Sequence, residues 1–172
     1  MKKRVLITGA GGSIGSELVR QCAKFEPSVL VMLDISELNL FEIDRETLNN
    51  SRTILFKPIL SDIRDSSSLG NVFEEYKPQV VFHAAAYKHV PLQESFPWEA
   101  VKTNVFGTNN VAEMSIKEHD QIFAITSHLP HLLAYALIDS IRLSGINISD
   151  NAGAGLKEFI RLRIMWFTLN ME

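Results

Sequence analysis

The chain has 172 residues, 46% of them hydrophobic, with 17 Lys and Arg against 20 Asp and Glu and a net charge of −3. That length suits one ordinary hydrophobic core and is too short for two full domains. The slight acidity gives no reason to expect nucleic acid or an anionic membrane surface as a partner, and the single cysteine, Cys22, excludes an internal disulfide and fits a cytoplasmic protein.

Met1-Lys2-Lys3-Arg4 has the charge of a leader's start. The apolar run behind it, Val5-Leu6-Ile7, is too short for a leader core or a membrane span. Val5 to Thr8 instead reads as a buried strand. Ser13 to Phe25 reads as a helix with Ile14, Leu18, Cys22 and Phe25 on one face. A second buried strand follows at Val29 to Leu33. Ser36 is placed to open the next helix, with Leu38, Phe41 and Leu48 as its apolar positions. Thr53 to Ile59 is a third strand, and Ser67 to Tyr76 a short helix that ends before Pro78. Val80 to Ala86 is a fourth strand running into a loop. Pro97 sits where a first helical turn tolerates it, and the pattern stays helical to about Lys117. Gln121 to Ser127 is a fifth strand. Strands that alternate with helices and are apolar on both faces imply α/β architecture, a doubly wound parallel sheet covered on both sides in three αβα layers. Right-handed crossovers give the strand order 3-2-1-4-5, with a cleft beside strand one where the chain reverses direction.

The composition changes after Ser127. His128 to Leu143 reads as one more helix, Ser144 to Gly155 as a loop, and Leu156 to Glu172 as an apolar helix or buried strand. Residues 1–127 therefore form the expected domain, and 128–172 a divergent segment that completes or flanks it.

The loop Thr8-Gly9-Ala10-Gly11-Gly12-Ser13-Ile14-Gly15 lies between the first strand and the first helix. Gly9 permits a sharp turn, an absent side chain at Gly12 lets a pyrophosphate approach the backbone, and Gly15 lets the helix pack closely on the sheet. Ser13 and Ile14 stand at the helix start, where N–H groups are free and the dipole is positive. Strand before, helix after and Asp34 at the end of the second strand are the context that makes this a Rossmann-like dinucleotide fingerprint. Asp34 can accept hydrogen bonds from ribose hydroxyls and repel a 2′-phosphate. Ile35, Ser36 and Glu37 offer that phosphate no cation, so NAD is favoured over NADP. After the third strand, Asp62 can take the adenine amine with the Ile63 backbone alongside, or it can cap the next helix. Ala84, Ala85 and Ala86 leave room for a ribose.

Together with "HAAAYKHVPLQES", "EAVKTNVFGTNNVAE", "LDISELNLFEI" and "LSDIRD", these residues resemble the extended short-chain dehydrogenase/reductases, and within them the CapD-like nucleotide-sugar 4,6-dehydratases of polysaccharide biosynthesis. The resemblance runs from about Val5 to Glu118. It implies that Gly9, Gly12, Gly15, Asp34, Asp62, Ala84 to Ala86 and Lys88 line the cofactor. It implies too that Asn104 orders the catalytic region and that Lys88 and His89 lie near the substrate. Further implications are a UDP-sugar substrate, UDP-N-acetylglucosamine, and pairing of helices between subunits. The implied lyase reaction takes hydride from sugar C4, removes the C5 proton and water, and returns hydride to C6.

The acid and base of that family should follow strand five in a Ser-Thr-Asp-Lys-like pattern, with Met or Tyr about eleven residues on and Lys four further. Here Thr126 and Ser127 are followed by His128-Leu129-Pro130. Ile138 and Arg142 hold the later positions, and Tyr135 has Asp139 as its i+4 partner. Thr126 and Ser127 remain the weak catalytic candidates. His128 and His131 lack companions for a metal site, and none is expected. His83 is expected to be structural. The chain is thus expected to be the NAD-binding portion of such a protein, truncated and inactive alone. The alternatives are a non-catalytic NAD-binding or sensor domain and a poorly folding fragment.

Overall fold

The computed structural model describes residues 2–50, 54–117 and 121–123. All of these fall in the first of two units into which the chain divides, Met1–His131. The expected segment 128–172 lies outside the described residues.

Among the described residues, five strands form one parallel sheet: β1 (Arg4–Thr8), β2 (Val29–Asp34), β3 (Leu55–Leu60), β4 (Val80–His83) and β5 (Gln121–Phe123). Their spatial order is β3-β2-β1-β4-β5, as the strand and helix alternation predicts. Ile7 pairs with Met32 on one side and Phe82 on the other, which makes β1 the centre of the sheet. Successive side chains of a strand point to opposite faces, so an uninterrupted apolar run fills two cores at once. Ile7, Leu30, Met32 and Phe82 pack on one face with Leu18, Val19 and Cys22 of α1 (Ser13–Ala23) and with Leu40 and Ile43 of α2 (Glu37–Asn50). Leu6, Val31, Leu33 and Val81 pack on the other face with Leu69, Val72 and Phe73 of α3 (Ser66–Tyr76) and with Val111 of α6 (Thr108–Lys117). Burial of Leu69 or Phe73 contributes roughly 1.5–3 kcal/mol each.

Three sequence expectations need correction. The first helix ends at Ala23, and Phe25 is 67% exposed, because the N–H groups of Phe25 and Glu26 turn back to Cys22 and Ala23 and Glu26 takes φ +48°. In α2, Leu38, Phe41 and Leu48 face outward, whereas Leu40, Ile43 and Thr47 are buried. Both sets have helical spacing, so periodicity alone selected the wrong stripe. The Arg45 guanidinium lies 5.9 Å over the exposed Phe41 ring. Asp65, not Asp62, caps α3, accepting from the N–H groups of Ser67 and Ser68 at 3.0 Å. Ser36 does open α2: its Oγ accepts from the N–H of Asn39 and its carbonyl from that of Leu40.

After β4 the chain forms α4 (Val90–Ser95), where the sequence pattern predicts a loop. It then runs through α5 (Pro97–Ala100) and a π-helical stretch (Val101–Gly107) directly into α6. The expected helix from Pro97 to Lys117 is therefore present but locally widened. Gly107 permits this stretch to lie against Ile63, whose Cδ1 would be 2.6 Å from any Cβ there. Among the described residues no helix is long and apolar enough to cross a membrane.

Candidate functional site

β1 delivers the chain into the glycine loop at its C-terminal end. Gly9 takes φ +68°, and a Cβ there would lie 2.7 Å from the Ala84 carbonyl and the Ala85 nitrogen. A Cβ at Gly15 would overlap the carbonyl oxygen of Gly9. These two glycines hold the loop, the helix and β4 together. Gly12 differs: its Cβ would meet only the Gly9 oxygen, at 3.3 Å. Its open side faces space rather than protein. Gly12 is also the N-cap of α1, with no side-chain cap and no acidic residue in the first turn. The N–H groups at the start of α1 thus have no intrahelical acceptor, and the positive end of the dipole is uncompensated.

Asp34 ends β2 beside this loop and is 7% exposed. Its Oδ2 accepts the N–H of Gly11 at 2.8 Å, and its Oδ1 accepts that of Ser36 at 2.8 Å. Each carboxylate oxygen has a second lone pair. Asp34 therefore braces the loop and the entry to α2 while keeping the capacity to accept from a ligand's hydroxyls.

Asp62 follows β3. Its Oδ1 accepts the Arg64 N–H at 2.9 Å, and its Oδ2 accepts from the Arg64 guanidinium at 2.7 Å. Burial pushes the Asp62 carboxyl up, but the Arg64 side-chain and backbone hydrogen bonds and the guanidinium charge together hold it below the usual carboxylate range. The same guanidinium donates to Glu99 of α5 at 2.8 Å. Arg64 is thus a cation already matched by two carboxylates.

Two cavities meet at the glycine loop. The larger, about 510 Å³, is lined by Gly12, Ser13, Ile14, Lys88, His89 and Gln93 among others. The smaller, about 270 Å³, is lined by Gly9, Asp34, Asp62, Ile63, Ala85 and Thr103 among others. Gly12, Ala84, Ala86 and Tyr87 border both. Among the sequence-predicted site residues that the structure describes, Gly15 and Asn104 are on neither wall. Gly15 acts through packing. Asn104 donates through Nδ2 to the Tyr87 carbonyl at 2.9 Å and accepts the Tyr87 N–H through Oδ1 at 2.8 Å, so it holds a residue that borders both cavities. Lys88 Nζ donates to Ser13 Oγ at 3.2 Å and ties the β4 loop to the start of α1.

Sequence reasoning missed Tyr87, Thr103, Arg64 and Gln93. Tyr87 and Thr103 adjoin Lys88 and Asn104, which was the available signal. Among the described residues, two buried side-chain oxygens have no hydrogen-bond partner, Thr103 Oγ1 and Gln93 Oε1, and each residue lines one of the two cavities. A buried polar atom without a partner costs roughly 1–3 kcal/mol, so both positions carry a local cost beside the cavities.

His83 is structural. Its Nδ1 lies 2.6 Å from Thr8 Oγ1 and its Nε2 lies 2.9 Å from Thr108 Oγ1, joining β1, β4 and α6. Burial pushes the ring's pKa down to about 4, so it is neutral at physiological pH. Burial also pushes the Cys22 thiol up to about 12. The described residues contain no group of His, Cys, Asp and Glu able to hold a metal ion. Thr126, Ser127, His128, His131, Tyr135, Ile138, Asp139 and Arg142 lie outside the described residues.

The family model described as "Polysaccharide biosynthesis protein" matches residues 5–128. A second model, "Prephenate dehydrogenase, dimerization domain", matches residues 115–165. The chain is 45% identical over 117 residues to the capsular polysaccharide biosynthesis protein CapD of Staphylococcus aureus, covering 67% of this chain and 19% of CapD. Among solved structures, Pen from Bacillus thuringiensis superimposes with TM-score 0.65 at 34% identity, covering 72% of this chain and 37% of Pen. The Bordetella bronchiseptica enzyme WbmG, in complex with NAD and UDP, superimposes with TM-score 0.57 at 26% identity over 72% of this chain and 37% of WbmG. The chain thus spans about a fifth of the length of the first curated relatives it matches.

Proposed function

The chain belongs to the polysaccharide biosynthesis protein family, and from that premise we propose that it is the NAD-binding portion of a nucleotide-sugar 4,6-dehydratase-like protein. One observation carries the reading: two cavities, about 510 and 270 Å³, meet over a glycine that faces open space at the start of a helix. A dinucleotide has that form, two nucleosides joined by a diphosphate. The chain's residues fit it. The free N–H groups at the start of α1, at Ser13 and Ile14, would hold the diphosphate, with Gly12 leaving room for it. Asp34 would hold a ribose, and Asp62, Ile63 and the unpartnered Thr103 hydroxyl would face the adenosine half. Ala84 to Ala86 and Tyr87 would form the floor between the halves, held by Asn104. Lys88 would close the loop over the nicotinamide half. NAD, when bound, supplies reversible hydride transfer.

Preference for NAD over NADP rests on Asp34, which would repel a 2′-phosphate, and on Arg64, whose charge is already matched by Asp62 and Glu99. WbmG, with its NAD and UDP, supports the same cofactor and a UDP-sugar substrate for the protein of which this domain is representative. Within this chain the residues that would act as acid and base after strand five are not of the required types. Its reading is therefore cofactor binding without turnover, which also favours the second reading, a non-catalytic NAD-binding or sensor domain. A cytoplasmic location and a homo-oligomer belong to the same proposal.

Calorimetric titration with NAD and NADP, beside incubation with UDP-N-acetylglucosamine while monitoring 4-keto product, tests both readings. Binding of NAD, weaker binding of NADP and no product are expected. Absence of NAD binding would overturn the proposal, and tighter NADP binding would overturn the cofactor preference. Product would show that this chain holds an acid–base pair.

A further inference from the structure

Residues of α4 and its N-cap line the larger cavity together with the glycine loop. His89 is the N-cap of α4, and Gln93 lies one turn on, its N–H bonded to the His89 carbonyl at 3.1 Å. Residues four apart share a helix face. Both line the cavity, as do Ser13 and Ile14 of the glycine loop and the apolar Phe96. Gln93 Oε1 is buried and unpartnered. The terminal carboxamide torsion is soft, so this group can reorient toward a donor that enters the cavity. No other side chain of the larger cavity carries such an atom among the described residues.

We infer that Gln93 is a specificity-determining residue that reads the sugar ring of the second ligand: its carboxamide pairs with a hydroxyl or amide N–H on a hexose placed against the cofactor. This rests on the proposed cofactor site, since it takes the larger cavity to hold a second ligand beside the nicotinamide. The chemistry is that of a neutral polyhydroxylated ring. A carboxamide both donates and accepts without charge, which suits hydroxyl groups. The apolar Phe96 and Leu92 beside it suit the C–H face of a ring. The carboxylate of Glu99, which also lines the cavity, is bound by Arg64 and Lys102, so it is not the first acceptor offered to a sugar.

The test uses the full chain loaded with NAD and labelled with 15N. The Gln93 side-chain amide resonance is assigned by its loss in the nearly isosteric Gln93→Met variant. UDP-N-acetylglucosamine should shift that resonance, and UDP alone should not. Gln93→Met should weaken binding of UDP-N-acetylglucosamine about tenfold, the worth of one good hydrogen bond, while leaving the affinities for NAD and UDP within about twofold. The inference is overturned if the resonance does not move with the sugar nucleotide, if UDP moves it equally, or if Gln93→Met binds the sugar nucleotide unchanged. Failure of the cofactor reading is separately visible, as loss of NAD binding by the unsubstituted chain.

Discussion

Asp34 and Gly11 are joined across the cleft's edge by a 2.8 Å hydrogen bond from a backbone N–H to a buried carboxylate. The acidic residue at the tip of β2 is therefore part of the glycine loop's own support before any ligand arrives. Two functions are combined in one side chain, and its replacement should damage both.

Asp34→Ala leaves the N–H groups of Gly11 and Ser36 without their acceptor. Stability should fall by about 1–3 kcal/mol, read by urea denaturation, and NAD affinity should fall at least about tenfold, read by calorimetry. Unchanged NAD affinity in a folded Asp34→Ala protein would contradict the placement of the ribose.

The glycines separate packing from binding. In Gly15→Ala the new methyl group would overlap the Gly9 carbonyl, so the loop or α1 must move. Such overpacking costs roughly 1–3 kcal/mol or more, and the thermal midpoint should drop by several degrees. In Gly12→Ala the methyl group meets one oxygen at 3.3 Å and otherwise enters the cleft. That variant should melt close to the unsubstituted protein yet bind NAD at least about tenfold more weakly. Equal losses of stability in the two variants would contradict the distinction.

His83 makes stability pH-dependent. Its folded pKa, about 4, lies below the ordinary value of 6.5. The folded state binds the proton less well than the unfolded state. The contribution of the neutral ring is therefore fully present above pH 6.5 and is lost as the pH falls from 6.5 toward 4. The full loss is roughly 3 kcal/mol. Urea denaturation across this range should show unfolding coupled to uptake of about one proton, and His83→Asn should remove that slope in the upper part of the range. A slope that survives the substitution would assign it to other groups.

Asn104 is predicted to act on Tyr87 rather than on the ligand. Asn104→Asp replaces the Nδ2 donor with a carboxylate oxygen facing the Tyr87 carbonyl. Hydrogen exchange at Tyr87 and Lys88 should accelerate at least about tenfold, while exchange in β1 and β2 stays unchanged. NAD affinity should fall through loss of loop order. Unaltered exchange at Tyr87 would remove this role.

The parts of the molecule that depend on backbone constraints were readable from residue types. Gly9, Gly15 and Asp34 act through close approach or through N–H groups, and few other residues can replace them. The buried strands were equally plain, because Leu6 and Ile7 or Val31 and Met32 must fill cores on both sides. The α2 face was not readable: Leu38, Phe41 and Leu48 compete with Leu40, Ile43 and Thr47, and only the position of the sheet decides. Nor could sequence show that Arg64 engages Asp62 and Glu99 together, since a long side chain's partners depend on its conformer. Thr103 escaped notice because its burial follows from the widened helical turn, and hydrophobic spacing does not reveal a π-helical stretch.

That stretch has a consequence for how the site is dimensioned. A π-helical turn fits more residues into each revolution than an α-helix does. Within Val101–Gly107 the surplus sets the azimuth at which Thr103 and Asn104 leave the axis. Deleting one residue ahead of Thr103 would relax the coil to ordinary pitch and swing both Thr103 and Asn104 by roughly 100°, taking Thr103 off the cavity wall and Asn104 away from Tyr87. The seating of a residue that borders both cavities therefore depends on a count of residues along one helix as much as on their identities.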